Sequence, residues 1–184
     1  MTGLEVATLG SGCFWCSEAV YSELQGVVKV EPGYSGGNLP NPTYEQVCTD
    51  RTGHAEVAQV TFDPKVLSCR ELLEVFFSTH DPTTLNRQES DEGTQYRSVI
   101  FYHDAAQRRE AEAMIRELTD DKTFRNAIVT QVVQFERFYP AEDYHREYFR
   151  RNPRQSYCRA VIAPKLTKFR SHFKDKLKPA SNPA

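Results

Sequence analysis

The chain has no apolar run long enough to span a bilayer. Its first nine residues, Met1 to Leu9, show no basic segment followed by an apolar one. These absences argue against a membrane protein and a secretory signal. Taken as complete, the chain is expected in the cytoplasm. It has little net charge, −2 with both signs interspersed, so there is no electrostatic case for nucleic acid or an anionic lipid surface. There is no internal repeat and no linker. The five cysteines are an odd number and form no disulfide scaffold. Zinc would want a second close pair of ligands, but Cys48, Cys69, Cys158 and His54 each stand alone, so no metal is expected.

With 184 residues, 39% hydrophobic and 26% charged, the chain has material for one soluble domain with a sizeable core. Residues 1–177 are expected to form one catalytic domain and 178–184 a flexible tail. A monomer is the simplest reading.

The stretch that organises the chain is Gly12-Cys13-Phe14-Trp15-Cys16. The apolar run Val6-Leu9 before it reads as a strand. Ala19, Val20 and Leu24 after it fit a helical stripe. Cys13 is thus expected where a strand turns into a helix, and a helix N-terminus favours thiolate over thiol. The alternative is that Cys13 and Cys16 are buried small hydrophobes.

Gly26–Glu31 reads as a strand and Pro32–Pro42 as a Gly/Pro-rich loop. Capping boxes at Thr43-Tyr44-Glu45-Gln46 and Ser68-Cys69-Arg70-Glu71 predict helices from Tyr44 and Cys69. Strands are expected over His54–Phe62, Tyr96–Tyr102 and Ala127–Phe135. Thr79–Thr94 reads as a second long loop. Asp104 should cap a helix to about Leu118, and Ala141–Arg151 should form a short one. Ala160–Ala163 reads as a short strand, with Pro164 opening a last helix. About five strands with two long loops fit an α+β two-layer sandwich.

Chemistry at sulfur needs a nucleophile, a proton donor and a way to regenerate the thiol. Cys13 is the best nucleophile. Glu56, at the head of a strand, is either an ordinary exposed carboxylate or an acid kept protonated by an apolar pocket. Tyr34, Tyr44 and Tyr96 flank the long loops and can give phenol donors, or are simply half-buried. Asp91 can orient a substrate or serve a turn.

The motifs Gly12-Cys13-Phe14-Trp15, Gly33-Tyr34-Ser35-Gly36-Gly37, Asn41-Pro42-Thr43-Tyr44, Gly53-His54-Ala55-Glu56, His80-Asp81-Pro82, Gly93-Thr94-Gln95-Tyr96-Arg97, Tyr139-Pro140-Ala141-Glu142-Asp143-Tyr144-His145 and Asn152-Pro153 occur in this order. Together they closely resemble the peptide methionine sulfoxide reductase A family, over about Leu9 to Cys158. The resemblance implies a roll with a ferredoxin-like core. It implies reduction of the S epimer of methionine sulfoxide, free or in oxidised proteins. It makes Cys13 the nucleophile, Glu56 the acid, Tyr44 and Tyr96 the phenols on the sulfoxide oxygen, and Phe14 and Trp15 the methyl pocket. Asp91 would contact substrate backbone or a water. The sulfenic acid left on Cys13 would condense with a second thiol, and thioredoxin would reduce the disulfide, with no bound cofactor.

Two features depart from the pattern. Cys16 stands where many members have Gly, and Cys158 is followed by Arg159–Pro164 rather than glycines. Alignment suggests Cys158 as the recycling thiol, yet an ordered segment there would hinder its swing. The local pair Cys13–Cys16 is the alternative. Gln88-Glu89-Ser90-Asp91 also departs, since members often carry Gly and Asn at its middle positions. A general thiol–disulfide oxidoreductase and a non-catalytic methionine-binding module are the rival readings.

Overall fold

The computed structural model describes residues 3–180. Strand β1 (Glu5–Ser11) leads into helix α1 (Phe14–Tyr21), followed by β2 (Val27–Ser35), the short α2 (Tyr44–Cys48), β3 (Ala55–Phe62) and α3 (Cys69–Ser78). A long loop carries the two-residue strands β4 (Arg87–Gln88) and β5 (Asp91–Glu92). Then come β6 (Ser98–Tyr102), α4 (Ala105–Asp120), β7 (Gln131–Gln134), β8 (Tyr139–Pro140), α5 (Tyr148–Arg151) and α6 (Ala163–His172).

Six strands form one sheet in the order β7-β6-β1-β3-β2-β8. Every pairing is antiparallel except β6 with β7. The fold is therefore mixed α/β with a mostly antiparallel sheet. Side chains alternate across a strand. On β3, Ala58, Val60 and Phe62 pack into the main core with α1, α3 and α6 residues such as Val20, Phe76 and Phe169. Ala55 and Val57 point to the other face, against Val99 and Phe101, where Phe135 and Phe138 cover them. Glu56 has the parity of Ala58. The pleat thus sends its carboxyl toward the helices.

Both capping boxes form, with Thr43 accepting from the Gln46 N–H and Ser68 from the Glu71 N–H. Asp104 caps α4 as expected. Five expectations fail. Strand β2 runs on through Pro32-Gly33-Tyr34-Ser35, read from sequence as loop, because Gly33 and Tyr34 pair with Pro140 and Tyr139. The Ala127–Phe135 strand shrinks to Gln131–Gln134, because the short β6 offers only that many partners and the Val129 N–H goes to Pro82. The Ala141–Arg151 helix breaks into a 3₁₀ turn (Asp143–His145) and α5, with Glu147 left-handed between them at φ 49°. The strand expected at Ala160–Ala163 is helical, a π turn over Cys158–Ile162 running into α6. Pro164 explains the wider turn, since it has no N–H for a carbonyl four residues back. Tyr96 lies in a 3₁₀ turn (Thr94–Tyr96) just before β6, not in the strand.

Of the expected tail, residues 181–184 lie outside the described residues, and the Lys178 N–H donates to the Glu23 carbonyl at 2.8 Å. No helix among the described residues is long and apolar enough to cross a membrane.

A Cβ on Gly33 would lie 2.4 Å from the Phe138 ring and 2.5 Å from the Tyr139 carbonyl. Both are held by the β2–β8 pairing, so neither can retreat freely. Gly33→Ala should lower stability by about 1–3 kcal/mol, the usual cost of overpacking. Urea unfolding of parent and variant measures it.

Candidate active site

The chain leaves β1 at Ser11, and Gly12 turns it at φ 97°, a conformation that favours glycine. Cys13 follows at the N-cap of α1, with extended backbone. Its carbonyl accepts the Cys16 N–H at 3.1 Å. The strand-to-helix junction expected from sequence is there. Cys13 is half-buried and Cys16 buried; all five cysteines are free thiols.

The thiols depart from the sequence expectation that the helix start lowers Cys13. Burial, the hydrogen bond with Cys16 and the nearby Glu56 push Cys13 well up instead. Cys16 is the thiol drawn down, first by its hydrogen bond with Cys13, then by Lys165 and Tyr157. Desolvation at Cys13 outweighs the pull of the helix N-terminus. Cys13 is thus held back from ionising, and Cys16 is drawn toward it.

Glu56 is 1% exposed. Its Oε1 accepts the Phe14 N–H at 3.1 Å, satisfying one of the orphan donors at the start of α1. Its Oε2 is buried without a hydrogen-bond partner among the described residues. Burial pushes the carboxyl up to about 8, against the Phe14 N–H, with Asp91 and Cys16 adding to the rise. Glu56 is thus a neutral acid around pH 7. The exposed-carboxylate alternative does not hold.

Tyr44 and Tyr96 are both half-buried. Both phenols are raised, first by burial and then by Glu56, so both stay protonated donors. Tyr96 is also raised by Asp91 and Cys13, and Tyr44 by Cys48 and Tyr96. Glu56 thus bears on both phenols, and Tyr44 lies against Phe14, the residue whose N–H Glu56 accepts.

The aromatic side of the site is built on α1. Phe14 is buried against Tyr34 (ring centroids 5.7 Å) and His145 (4.9 Å), with Tyr44 stacked at 6.5 Å. Trp15 is half-buried and lies flat on Tyr148, 3.7 Å between centroids and 7° between planes. Its Nε1–H donates to His145 Nδ1 at 2.9 Å. Asp91 Oδ2 accepts the Tyr157 hydroxyl at 2.6 Å, and Tyr157 meets Trp15 edge-on at 5.8 Å. Cys158 is fully buried in the π turn, raised by burial and by Cys16.

Reasoning from residue types gave no role to Glu142, His145, Tyr148 or Tyr157. Glu142 accepts the Tyr34 hydroxyl at 3.0 Å and the Tyr44 N–H at 3.1 Å, so one carboxylate fixes two aromatic residues. His145 braces the indole. The signal was the motif Tyr139–His145, whose acid and imidazole have no obvious periodic or turn role.

The model of the family described as peptide methionine sulfoxide reductase matches residues 5–177. Peptide methionine sulfoxide reductase MsrA of Saccharolobus solfataricus is 59% identical over 175 residues, 95% of this chain and 98% of that one. MsrA of Thermus thermophilus is 54% identical over 175 residues, 95% and 98% of the two chains. Among solved structures, reduced Mxr1 from Saccharomyces cerevisiae matches with a TM-score of 0.78 at 38% identity, covering 85% of this chain and 90% of that one. Mxr1 in complex with Trx2 matches with a TM-score of 0.56 at 29% identity, covering 79% and 85%. The likeness thus spans both sequence and fold, and the chain belongs to the peptide methionine sulfoxide reductase family, MsrA.

Proposed function

We propose that the protein reduces the S epimer of methionine sulfoxide, free or in oxidised proteins, to methionine. The observation that carries this is a buried carboxyl, Glu56, raised to about 8, whose Oε1 accepts the N–H of Phe14 next to Cys13, with Tyr44 stacked on the Phe14 ring. A sulfoxide joins a polar S–O bond to an apolar methyl. Phe14 and Trp15 offer the methyl an aromatic surface, while Tyr44 and Tyr96 offer the oxygen two hydrogen bonds. A fixed methyl and a fixed oxygen leave one epimer with its sulfur toward Cys13. Asp91, tied to Tyr157, borders this centre and contacts the substrate backbone or its water.

Cys13 attacks the sulfoxide sulfur. Charge develops on the sulfoxide oxygen, where Glu56 supplies a proton and the phenols their hydrogen bonds, and the proton that Cys13 gives up restores Glu56. The sulfoxide S–O bond breaks, its oxygen ends on Cys13 as a sulfenic acid, and methionine leaves. Condensation with a second thiol gives a disulfide and one water. We assign that thiol to Cys16, one helical turn from Cys13, whose carbonyl accepts its N–H; Cys158 is closed within a buried helical turn. Thioredoxin is the reductant of the disulfide, a reading supported by the related Mxr1–Trx2 complex. Five free thiols suit a reducing compartment, the cytoplasm. The strand order β6-β1-β3-β2, linked by α1 and α3, supports a ferredoxin-like core for the domain.

Turnover with the two separated epimers of a methionine sulfoxide peptide tests the activity. One epimer should be consumed, and Cys13→Ala should abolish it; consumption of both, or survival in Cys13→Ala, overturns the reading.

Glu56→Gln keeps an acceptor for the Phe14 N–H but loses the proton. It should slow single turnover by roughly 10²–10⁴-fold. In the parent, the acid's contribution should fade as pH rises through about 8. The sign for stability follows from the same group. The folded protein holds the Glu56 proton more tightly than the unfolded chain, whose carboxyl titrates near 4.5. Stability from this group is therefore full below 4.5 and is lost as pH rises through about 8, on the order of 5 kcal/mol in all. Thermal unfolding across pH 4–9 should show this slope in the parent and lose it in Glu56→Gln.

Cys16→Ser should halt thioredoxin-supported turnover while leaving one methionine formed per enzyme, and Cys158→Ser should retain most of the parent rate. The reverse pattern moves the recycling role to Cys158.

A further inference from the structure

Helix α1 presents two side chains to the turn that begins α5, one helical turn apart. Trp15 lays its indole on the Tyr148 ring. Glu18, three residues on, is 5% exposed, and its Oε1 accepts the Glu147 N–H at 2.6 Å. This satisfies a backbone donor at the start of a one-turn helix that has no side-chain cap of its own. Glu147 is in the left-handed region at φ 49°, a conformation a non-glycine residue holds only when its surroundings fix it. Ring and backbone of the α5 start are thus each gripped from α1.

We propose that Glu18 is a positioning residue for the substrate-facing indole: its carboxyl fixes the Glu147–Tyr148 backbone, and this keeps Tyr148 stacked beneath Trp15. The inference deepens the proposed function, since it rests on Trp15 forming the methyl pocket. Glu18 does not touch the reacting atoms. It acts through Tyr148 on the one wall of the site whose orientation an edge contact and a single hydrogen bond to His145 would otherwise have to hold.

Among the described residues no basic side chain forms an ion pair with Glu18. Facing the groove that Glu18 borders are Lys29 and Glu31 from β2, Arg146 and Glu147 from the turn, and Lys178 from the C-terminal segment; Arg151 of α5 also bears on the carboxyl. Lys29 and Arg146 are both paired with Glu31, at 3.1 and 3.6 Å. Burial therefore prevails over the backbone N–H groups and lifts Glu18 to about 7. A carboxylate accepts N–H more strongly than a carboxylic acid does. The grip should tighten as pH rises through about 7 and loosen below it. His145, lowered by burial, takes up its proton on the acid side of that range.

Trp15 is the only tryptophan of the chain, so its fluorescence reports this stack alone. Glu18→Ala should shift the emission to the red and raise KM about tenfold, the loss of roughly one charge-assisted hydrogen bond, with kcat changed less than twofold. Glu18→Gln, which keeps an acceptor, should restore most of both. Tyr148→Leu should reproduce the Glu18→Ala change, and the double variant should add little to it. Parent emission should titrate near pH 7 and that step should be absent in Glu18→Gln. Parent-like emission and KM in Glu18→Ala, additive effects with Tyr148→Leu, or the same titration in Glu18→Gln each overturn the clamp. If Glu18→Ala does not fold, the titration of parent against Glu18→Gln decides alone. Emission reads the clamp whatever the substrate is, so failure of the reductase assay and failure of the clamp are separate results.

Discussion

The hydrogen bond from the Phe14 N–H to Glu56 Oε1 is the constraint on which the site depends. It joins the first residue of α1 to the central strand β3. One partner is an orphan helix donor, the other a carboxyl shut away from solvent. Together they solve a problem neither solves alone. The helix start is capped although Cys13 offers no side-chain cap, and the carboxyl is buried without losing both its polar partners. The bond pulls Glu56 down and burial pushes it up; burial wins, and a carboxylic acid persists near neutral pH.

The rest of the site is arranged about that junction. Glu142 spans Tyr34 and Tyr44, setting the loop side against Phe14. His145 and Tyr148 hold the indole from edge and face. These supports come from the segment 139–151, which reaches the site because β8 pairs with the end of β2. A glycine at position 33 lets that pairing close. The short strand that sequence patterning read as loop is therefore what brings the second half of the chain to the thiols. The same segment carries the turn that Glu18 grips, so α1 and its supports hold one another in place.

The thiol pair shows how local and global electrostatics compete. A helix N-terminus favours thiolate for any cysteine near it, and both Cys13 and Cys16 are near it. Which sulfur benefits is decided by desolvation and by neighbours from elsewhere. Glu56 disfavours charge at Cys13, while Lys165 and Tyr157 favour it at Cys16.

Local sequence determined much of this protein. The capping boxes at Thr43 and Ser68, the Asp104 cap and the strand–turn–helix around Cys13 are legible because their physics lies within four residues. The motifs containing Cys13, Tyr44, Glu56 and Tyr96 gave the family and its chemistry. Tertiary structure decided what depends on partners far along the chain. Pairing with β8 turned Pro32–Ser35 into strand, and the short β6 cut β7 down. Pro164 stands in the first turn of α6 as expected, while the segment before it, read as a strand, is a π turn. Glu56 could be read as a candidate acid, but only the enclosing fold removes the water that would have kept it an ordinary carboxylate. Sequence likewise placed Cys13 at a helix start, while burial and contact with Cys16 settled which sulfur holds its proton.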